Sequence, residues 1–260
     1  MSDFLHRELP ALGKRVFRLG LATNYGLDEE GVRAALDRGV SYLYYTARSS
    51  SMRAPIAEAV RRDRERLVIA TGPSLGWFDG SVRRAAERAL KRFGLDYLDV
   101  FQLNWLGVGA AWTSSTEREL VHLRESGKVR AIGTSIHDRA RAGQLAESSP
   151  LDLLMIRYNA AHPGAERDIF PHLATRRPIV VGYTATSWRR LLRRPRGWEG
   201  PVMSAGDCYR FALSSPHVDV VLCGPSTRAQ LDENLAAIAR GPLTPDEDRW
   251  MRDFGQAVHG

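Results

Sequence analysis

The sequence predicts an α/β fold, a single (β/α)8 TIM barrel with shortened loops, and three observations carry that expectation. Eight short apolar, β-rich runs recur along the 260 residues, segments of helical period lie between them, and no linker, low-complexity stretch or sequence repeat interrupts the alternation. A doubly wound sheet usually has fewer strands, so residues 1–260 are read as one domain.

The first run is VFRLGLA (16–22). EEGVRAALDRG follows, with Val32, Ala35 and Leu36 on one helical face and Gly39 as its stop. VSYLYY (40–45) and LVIAT (67–71) are the second and third runs. DGSVRRAAERALKRFG then sets Val82, Ala86, Leu90 and Phe93 on one stripe closed by Gly94. After LDVFQL (98–103), STERELVHLRESG opens on a Ser/Thr cap with acids and ends at Gly127. VRAIGTS (129–135), LDLLMI (151–156), PIVVGYT (178–184) and VDVVLCG (218–224) complete the eight. Their near-continuous apolar character suits strands covered on both faces, as in a parallel sheet. TRAQLDENLAAIARG ends at Gly241, and TPDEDRWMRDFGQAV opens with Thr244-Pro245 followed by Asp246, Glu247 and Asp248.

At 43% hydrophobic and 26% charged, the composition is that of a globular protein, not of a disordered, collagenous or mucin-like chain. Cys208 and Cys223 are too few for a disulfide framework, which points to a reducing cytoplasm. The N-terminal MSDFLHRELP lacks an apolar signal core and no 18-residue apolar run exists, so neither secretion nor a membrane span is expected. The formal charge of +7 invites a nucleic-acid partner, but 34 of the 37 basic residues are Arg. They are scattered beside acids, as in RRDRER and RRAAERALKR, which reads as a solvated surface rather than a nucleic-acid site. Lysine occurs only at Lys14, Lys91 and Lys128.

In such a barrel, chemistry sits at the C-terminal ends of the strands. That rule selects Thr23, Tyr44 to Ser49, Thr71-Gly72, Asn104-Trp105, Ser135 to His137, Arg157 to His162, Tyr183-Thr184 and Gly224 to Arg228.

At these positions the chain resembles the aldo-keto reductases. LGLAT (19–23) is similar to the family's first-strand LGLGT, LKRFGLDYLDVFQLNW (90–105) to SLKRLGLDYIDLYLIHW, and LRESGKVRAIGTS (123–135) to LVKEGKVRAIGVS. YNAAH (158–162), VVGYTA (180–185) and CGPSTRAQLDENL (223–235) match later landmarks in the same order. The resemblance implies a (β/α)8 barrel that binds NADP(H) and transfers hydride to or from a small carbonyl or alcohol substrate.

The family's chemistry uses an Asp, a Tyr acid, a Lys and a His. Against GVSYLYYTARSS, the resemblance sets Tyr44 at the Asp position and Ser49 at the Tyr position. Gly72 stands at the lysine position and Asn104 at the histidine position, so all four are changed. No lysine is placed to compensate: Lys14 and Lys128 precede strands, and Lys91 lies in a helix. Tyr44, Tyr45, Arg48 and Asn104 are the candidates to surround the substrate oxygen instead. The resemblance assigns cofactor contacts to Thr23, Ser135, Asn159, Tyr183, Thr184, Glu233 and Asn234, with Ser226 and Arg228 suited to a 2′-phosphate. Two positions depart from it: Met155 replaces a common Gln, and Gly224-Pro225 replaces a Lys-Ser pair.

Other chemistry stays open. His137, Arg157 or the tyrosines could serve a non-redox dehydratase, isomerase or cyclase on the same barrel, or the barrel could bind NADP(H) or another ligand without catalysis. WRRLLRRPRGW (188–198) reads as a lid over phosphates, as a surface for an anionic partner, or as an amphipathic turn with Trp188, Leu191 and Leu192 inward. No HExxH or comparable ligand spacing suggests a metal, and no GxSxG turn suggests a serine nucleophile. An oligomer is compatible with the sequence.

Overall fold

The computed structural model describes residues 3–22, 24–46, 49–73, 76 and 80–259. A hairpin of β1 (His6–Leu9) and β2 (Lys14–Phe17) precedes eight parallel strands that close on themselves. In chain order these are β3 (Leu19–Ala22), β4 (Tyr42–Tyr44), β5 (Val68–Thr71), β6 (Leu98–Leu106), β7 (Val129–Ile136), β8 (Leu153–Arg157), β9 (Ile179–Tyr183) and β10 (Val220–Cys223). Each pairs with the next, and β10 returns to β3 with Val221 opposite Leu19. The expected barrel is therefore present, and each of the eight apolar runs supplies one of its strands.

The helices are α1 (Glu29–Asp37), α2 (Arg53–Asp63), α3 (Ser81–Phe93), α4 (Ser114–Glu125), α5 (Arg139–Ser148), the short α6 (Ala165–Asp168), α7 (Ala205–Ser214), α8 (Arg228–Ala239) and α9 (Pro245–His259). Local chemistry explains their ends. Asp28 caps α1 by accepting from Gly31 N at 2.8 Å, and Thr227 caps α8 through Gln230 N. The cap of α4 is Thr113, in a reciprocal box with Thr116, two residues before the expected one. Val82, Ala86, Leu90 and Phe93 form the buried stripe of α3, which stops at Gly94 in the left-handed region. Helices α2, α5 and α7 escape a periodicity search. In α7 even Arg210 is buried beside Cys208 to Leu213, so residue polarity there does not separate an outer from an inner face.

Strand alternation divides the apolar residues into two layers. Tyr42, Val68, Val100, Ala131, Leu153 and Val181 fill the lumen, whereas Leu43, Ile69, Phe101, Ile132, Leu154 and Val180 face the helices. Leu9, Leu12 and Val16 of the hairpin pack on the lumen residues and plug the N-terminal end. The run 16–22 is therefore split between β2 and β3. Arg18 marks the break, because its buried guanidinium donates to the carbonyls of Phe4, Leu213, Val218 and Asp219.

The same end holds a buried ionic cluster. Asp99 Oδ1 accepts from Lys14 Nζ at 2.8 Å, and its Oδ2 pairs with Arg64 at 2.7 Å and accepts from Ile69 N at 2.9 Å. Lys14 thus braces the floor of the barrel. Lys128 pairs with Glu87 on the outside, and Lys91 is exposed on α3. None of the three lysines reaches the C-terminal mouth.

Candidate active site

Alternation places Ala22, Tyr44, Asn104, Ser135, Arg157 and Tyr183 in a ring at the mouth, with Gly72 and Gly224 directly beyond β5 and β10. On one wall the Tyr44 hydroxyl donates to Asn104 Oδ1 at 2.9 Å. Asn104 Nδ2 donates to the Pro73 carbonyl at 3.2 Å, which fixes the amide's orientation. Gln102 lies one layer deeper, fully buried, and its Nε2 also approaches Asn104 Oδ1, at 3.3 Å. Its Oε1 has no partner. Burial, then the neighbouring Tyr25, pushes the Tyr44 phenol well above its ordinary range, so it is a neutral donor at physiological pH.

Tyr45 does not share that wall. It packs edge-on against Phe93 of α3, with ring centroids 4.6 Å apart, because consecutive strand residues face opposite sides. Its expected place at the substrate oxygen is corrected accordingly. Ser49 is fully buried and bonds to Thr46, closing the turn after β4. Gly72 is hemmed in by β6: a Cβ there would lie 1.9 Å from the Gln102 carbonyl oxygen and 2.9 Å from Asn104 Nδ2. Thr23 and Arg48, named from the sequence, lie outside the described residues.

Across the mouth, Arg157 extends beneath Trp188, its guanidinium 5.8 Å from the ring centroid. The Tyr183 hydroxyl meets His137 Nε2 at 2.8 Å. Burial raises the Tyr183 phenol above its usual range, and burial together with Arg157 lowers the His137 imidazole. Ser135 Oγ accepts from Trp105 N at 2.6 Å, holding the turn where Trp105 adopts φ +56°. Asn159 has both amide atoms engaged: Nδ2 donates to the Thr184 carbonyl at 2.8 Å, and Oδ1 faces His162 Nδ1 at 3.2 Å. It braces the loops beyond β8 and β9. His162 is pushed down to about 4, first by burial and then by Arg157, His259, Arg190 and Arg139.

Beyond β9, Thr184 turns its hydroxyl back to the Tyr183 carbonyl at 2.7 Å. Thr184, Ser187, Trp188 and Arg189 all have positive φ, a conformation that costs about 1 kcal/mol or more for residues with a side chain. Ser187 Oγ is buried there without a partner. Within 188–198, Leu191 is buried and Leu192 half-buried, as an amphipathic turn requires, but Trp188 is 58% exposed rather than packed inward. At the start of α8, Ser226 and Arg228 are exposed, although Ser226 N already donates to Gln230 Oε1 at 2.8 Å. Glu233 is exposed and Asn234 buried on that helix.

Gln102 and Tyr25 are the site residues that sequence reasoning missed. A single amide within an otherwise apolar strand, at inward parity with Asn104, was the available signal for Gln102. Tyr25 had none: its ring lies where a Cβ on Gly224 would project, a contact made by two distant loops. Both cysteines are buried, and burial raises both thiols, Cys223 to about 12, so neither is a reactive thiolate. Among the described residues no helix is long and apolar enough to cross a membrane, and no cluster of three His, Cys, Asp or Glu could hold a metal.

A closed parallel barrel with its polar ring at the C-terminal mouth is a (β/α)8 enzyme-type scaffold that hosts many chemistries, and the family comparison narrows it. Residues 20–188 match the Aldo/keto reductase family, and the chain belongs to that family. The aldo-keto reductase YhdN of Bacillus subtilis is 27% identical over 187 residues, 64% of this chain and 55% of that protein, so the match spans about half of the relative's length. Among solved structures, the aldo-keto reductase AKR11C1 from Bacillus halodurans in its holo form superposes with a TM-score of 0.79 at 20% identity, over 97% of this chain and 96% of that one. An aldo/keto reductase from Klebsiella pneumoniae, in complex with NADP and acetate, gives 0.73 at 19% identity over 94% and 93%.

Proposed function

We propose that this aldo-keto reductase family member is an NADP(H)-dependent oxidoreductase of small carbonyl and alcohol compounds, working with a Tyr44–Asn104 pair in place of the family's usual acid and its partners. The observation that carries the reading is the Tyr44–Asn104 hydrogen bond of 2.9 Å in the barrel mouth. The residues present fit a nicotinamide dinucleotide. Ser226 and Arg228 stand exposed at the N-terminus of α8, where helix N–H groups favour phosphate. The unpartnered Ser187 Oγ offers a hydroxyl in the turn beyond β9, and Tyr183 offers a half-exposed ring. Asn159 contributes by holding those loops, since its amide is already committed.

When bound, the dinucleotide supplies or accepts hydride; the protein's task is the oxygen and its proton. Tyr44 can turn its O–H from Asn104 Oδ1 to a substrate oxygen without orphaning that atom, because Gln102 Nε2 also reaches it. A phenol held above its ordinary pKa gives its proton readily only to a stronger base. It therefore favours protonating the alkoxide formed in reduction over deprotonating an alcohol. The protonated phenol is the form that serves reduction, and proton transfer from it is slow beside that of an acid assisted by a cation.

The test is NADPH oxidation across an aldehyde and ketone panel, with NADPH, NADH and NADP+ affinities measured alongside. Tyr44→Phe should lower kcat/KM by roughly 10- to 100-fold with cofactor affinity unchanged. Cofactor binding without turnover on any carbonyl overturns the reading, as does full activity in Tyr44→Phe.

A further inference from the structure

Arg157 ends β8 with its side chain half-buried, and among the described residues no carboxylate, carbonyl or hydroxyl bonds to its guanidinium. Its guanidinium lies 5.8 Å from the centroid of the Trp188 ring. Arg64 is satisfied by Asp99, Arg124 by Asp152, Arg210 by Glu247 and Arg18 by four carbonyls, whereas Arg141 on α5, outside the ring, is likewise half-buried with no guanidinium partner among the described residues. The nearby cations are committed as well, Arg139 to Asp168 and Arg190 to the Val258 carbonyl. A lone guanidinium drawn out of water is unfavourable unless an anion meets it.

Among the described residues of the ring, nothing else carries charge. Asn104 and Ser135 are neutral by nature, and burial keeps the Tyr44 and Tyr183 phenols protonated. Closure also sets the geometry. Three strands separate β4 from β8 in either direction around the barrel, so Tyr44 and Arg157 rise from opposite walls. A donor for one oxygen thus faces a lone cation across the mouth.

We propose that Arg157 receives a carboxylate of the substrate, so that the site takes oxo-acids and hydroxy-acids whose two ends span the mouth. This rests on the oxidoreductase reading above, with the reacting oxygen at Tyr44 and the carboxylate across the mouth. A planar guanidinium matches a carboxylate with two parallel hydrogen bonds, and its single positive charge balances a monoanion. A phosphate dianion would leave excess negative charge beside neutral imidazoles.

Calorimetric titration of the purified full chain tests this, using 4-formylbenzoate, its methyl ester, inorganic phosphate and NADPH as separate titrants. The acid should bind at least about ten-fold tighter than the ester. Arg157→Gln should erase that preference while ester and NADPH affinities stay within about two-fold, and Arg157→Lys should keep part of it. Equal affinity of acid and ester for the unmodified protein overturns the proposal, and that comparison needs no variant to fold. So does an Arg157→Gln protein that loses NADPH but keeps the acid preference, or phosphate binding tighter than the acid. Turnover is scored separately. An acid preference without turnover keeps the anion receptor and removes the reductase; turnover of acid and ester without preference does the reverse.

Discussion

Replacing Gly72 by alanine adds one methyl group where the barrel has no room for it. The added Cβ would lie 1.9 Å from the Gln102 carbonyl oxygen, so the end of β5 and β6 must part by about 1.5 Å to reach ordinary contact at 3.4 Å. The neighbour that must yield is backbone within a paired strand, since Gln102 is in register with Gly133 of β7. Overpacking of this kind costs about 2–3 kcal/mol, partly offset by the ~0.4–1 kcal/mol that alanine gains over glycine through the unfolded chain. A net loss of about 2 kcal/mol lowers Tm by roughly 4–8 °C in a domain of this size. Gly182→Ala is the control: its Cβ would meet nothing closer than 3.5 Å, and no positive φ opposes it, so it should be neutral or slightly stabilising. Circular-dichroism melts of the two variants and the parent make the comparison. A Gly72→Ala protein that melts at or above the parent would refute the steric argument. The consequence is functional too. A lysine installed at Gly72 carries the same Cβ, so restoring that side chain requires repacking β6 and Asn104 as well.

Two further outcomes follow from buried charge. Asp99→Asn leaves Lys14 and Arg64 facing a neutral amide at the barrel floor and should cost about 3–5 kcal/mol in urea unfolding, with little change in KM among molecules still folded. His162 stays neutral in the folded protein down to about pH 4, whereas the unfolded chain protonates near 6.5. Between those values the unfolded state holds the extra proton, so stability falls as pH drops from 6.5 toward 4, by about 1–2 kcal/mol after allowance for solvent screening. Urea midpoints across that range should show the slope. His162→Gln should flatten it, and an unchanged slope assigns the effect elsewhere.

The strands were legible because each is a short apolar run punctuated by glycine or a capped helix, and parallel strands buried on both faces need that pattern. The same property hid the site. Where both faces are apolar, alternation disappears from the sequence, and Tyr44 and Tyr45 look alike. Closure of the barrel decides that Tyr44 meets Asn104 and Tyr45 meets Phe93. Helix α7 was unreadable for a related reason, since it buries Arg210 along with its apolar residues.

By itself, the sequence determined the barrel, its family landmarks and the absence of any lysine at a strand's C-terminal end, since these depend on residue type and spacing along the chain. Only the tertiary structure decided that Gly72 is walled in by a β6 carbonyl, that Gln102 stands behind Asn104, and that Arg157 has no counter-charge among the described residues. Each of those facts is a contact, or a missing contact, between residues distant in sequence. Such contacts exist only once eight strands close in one register.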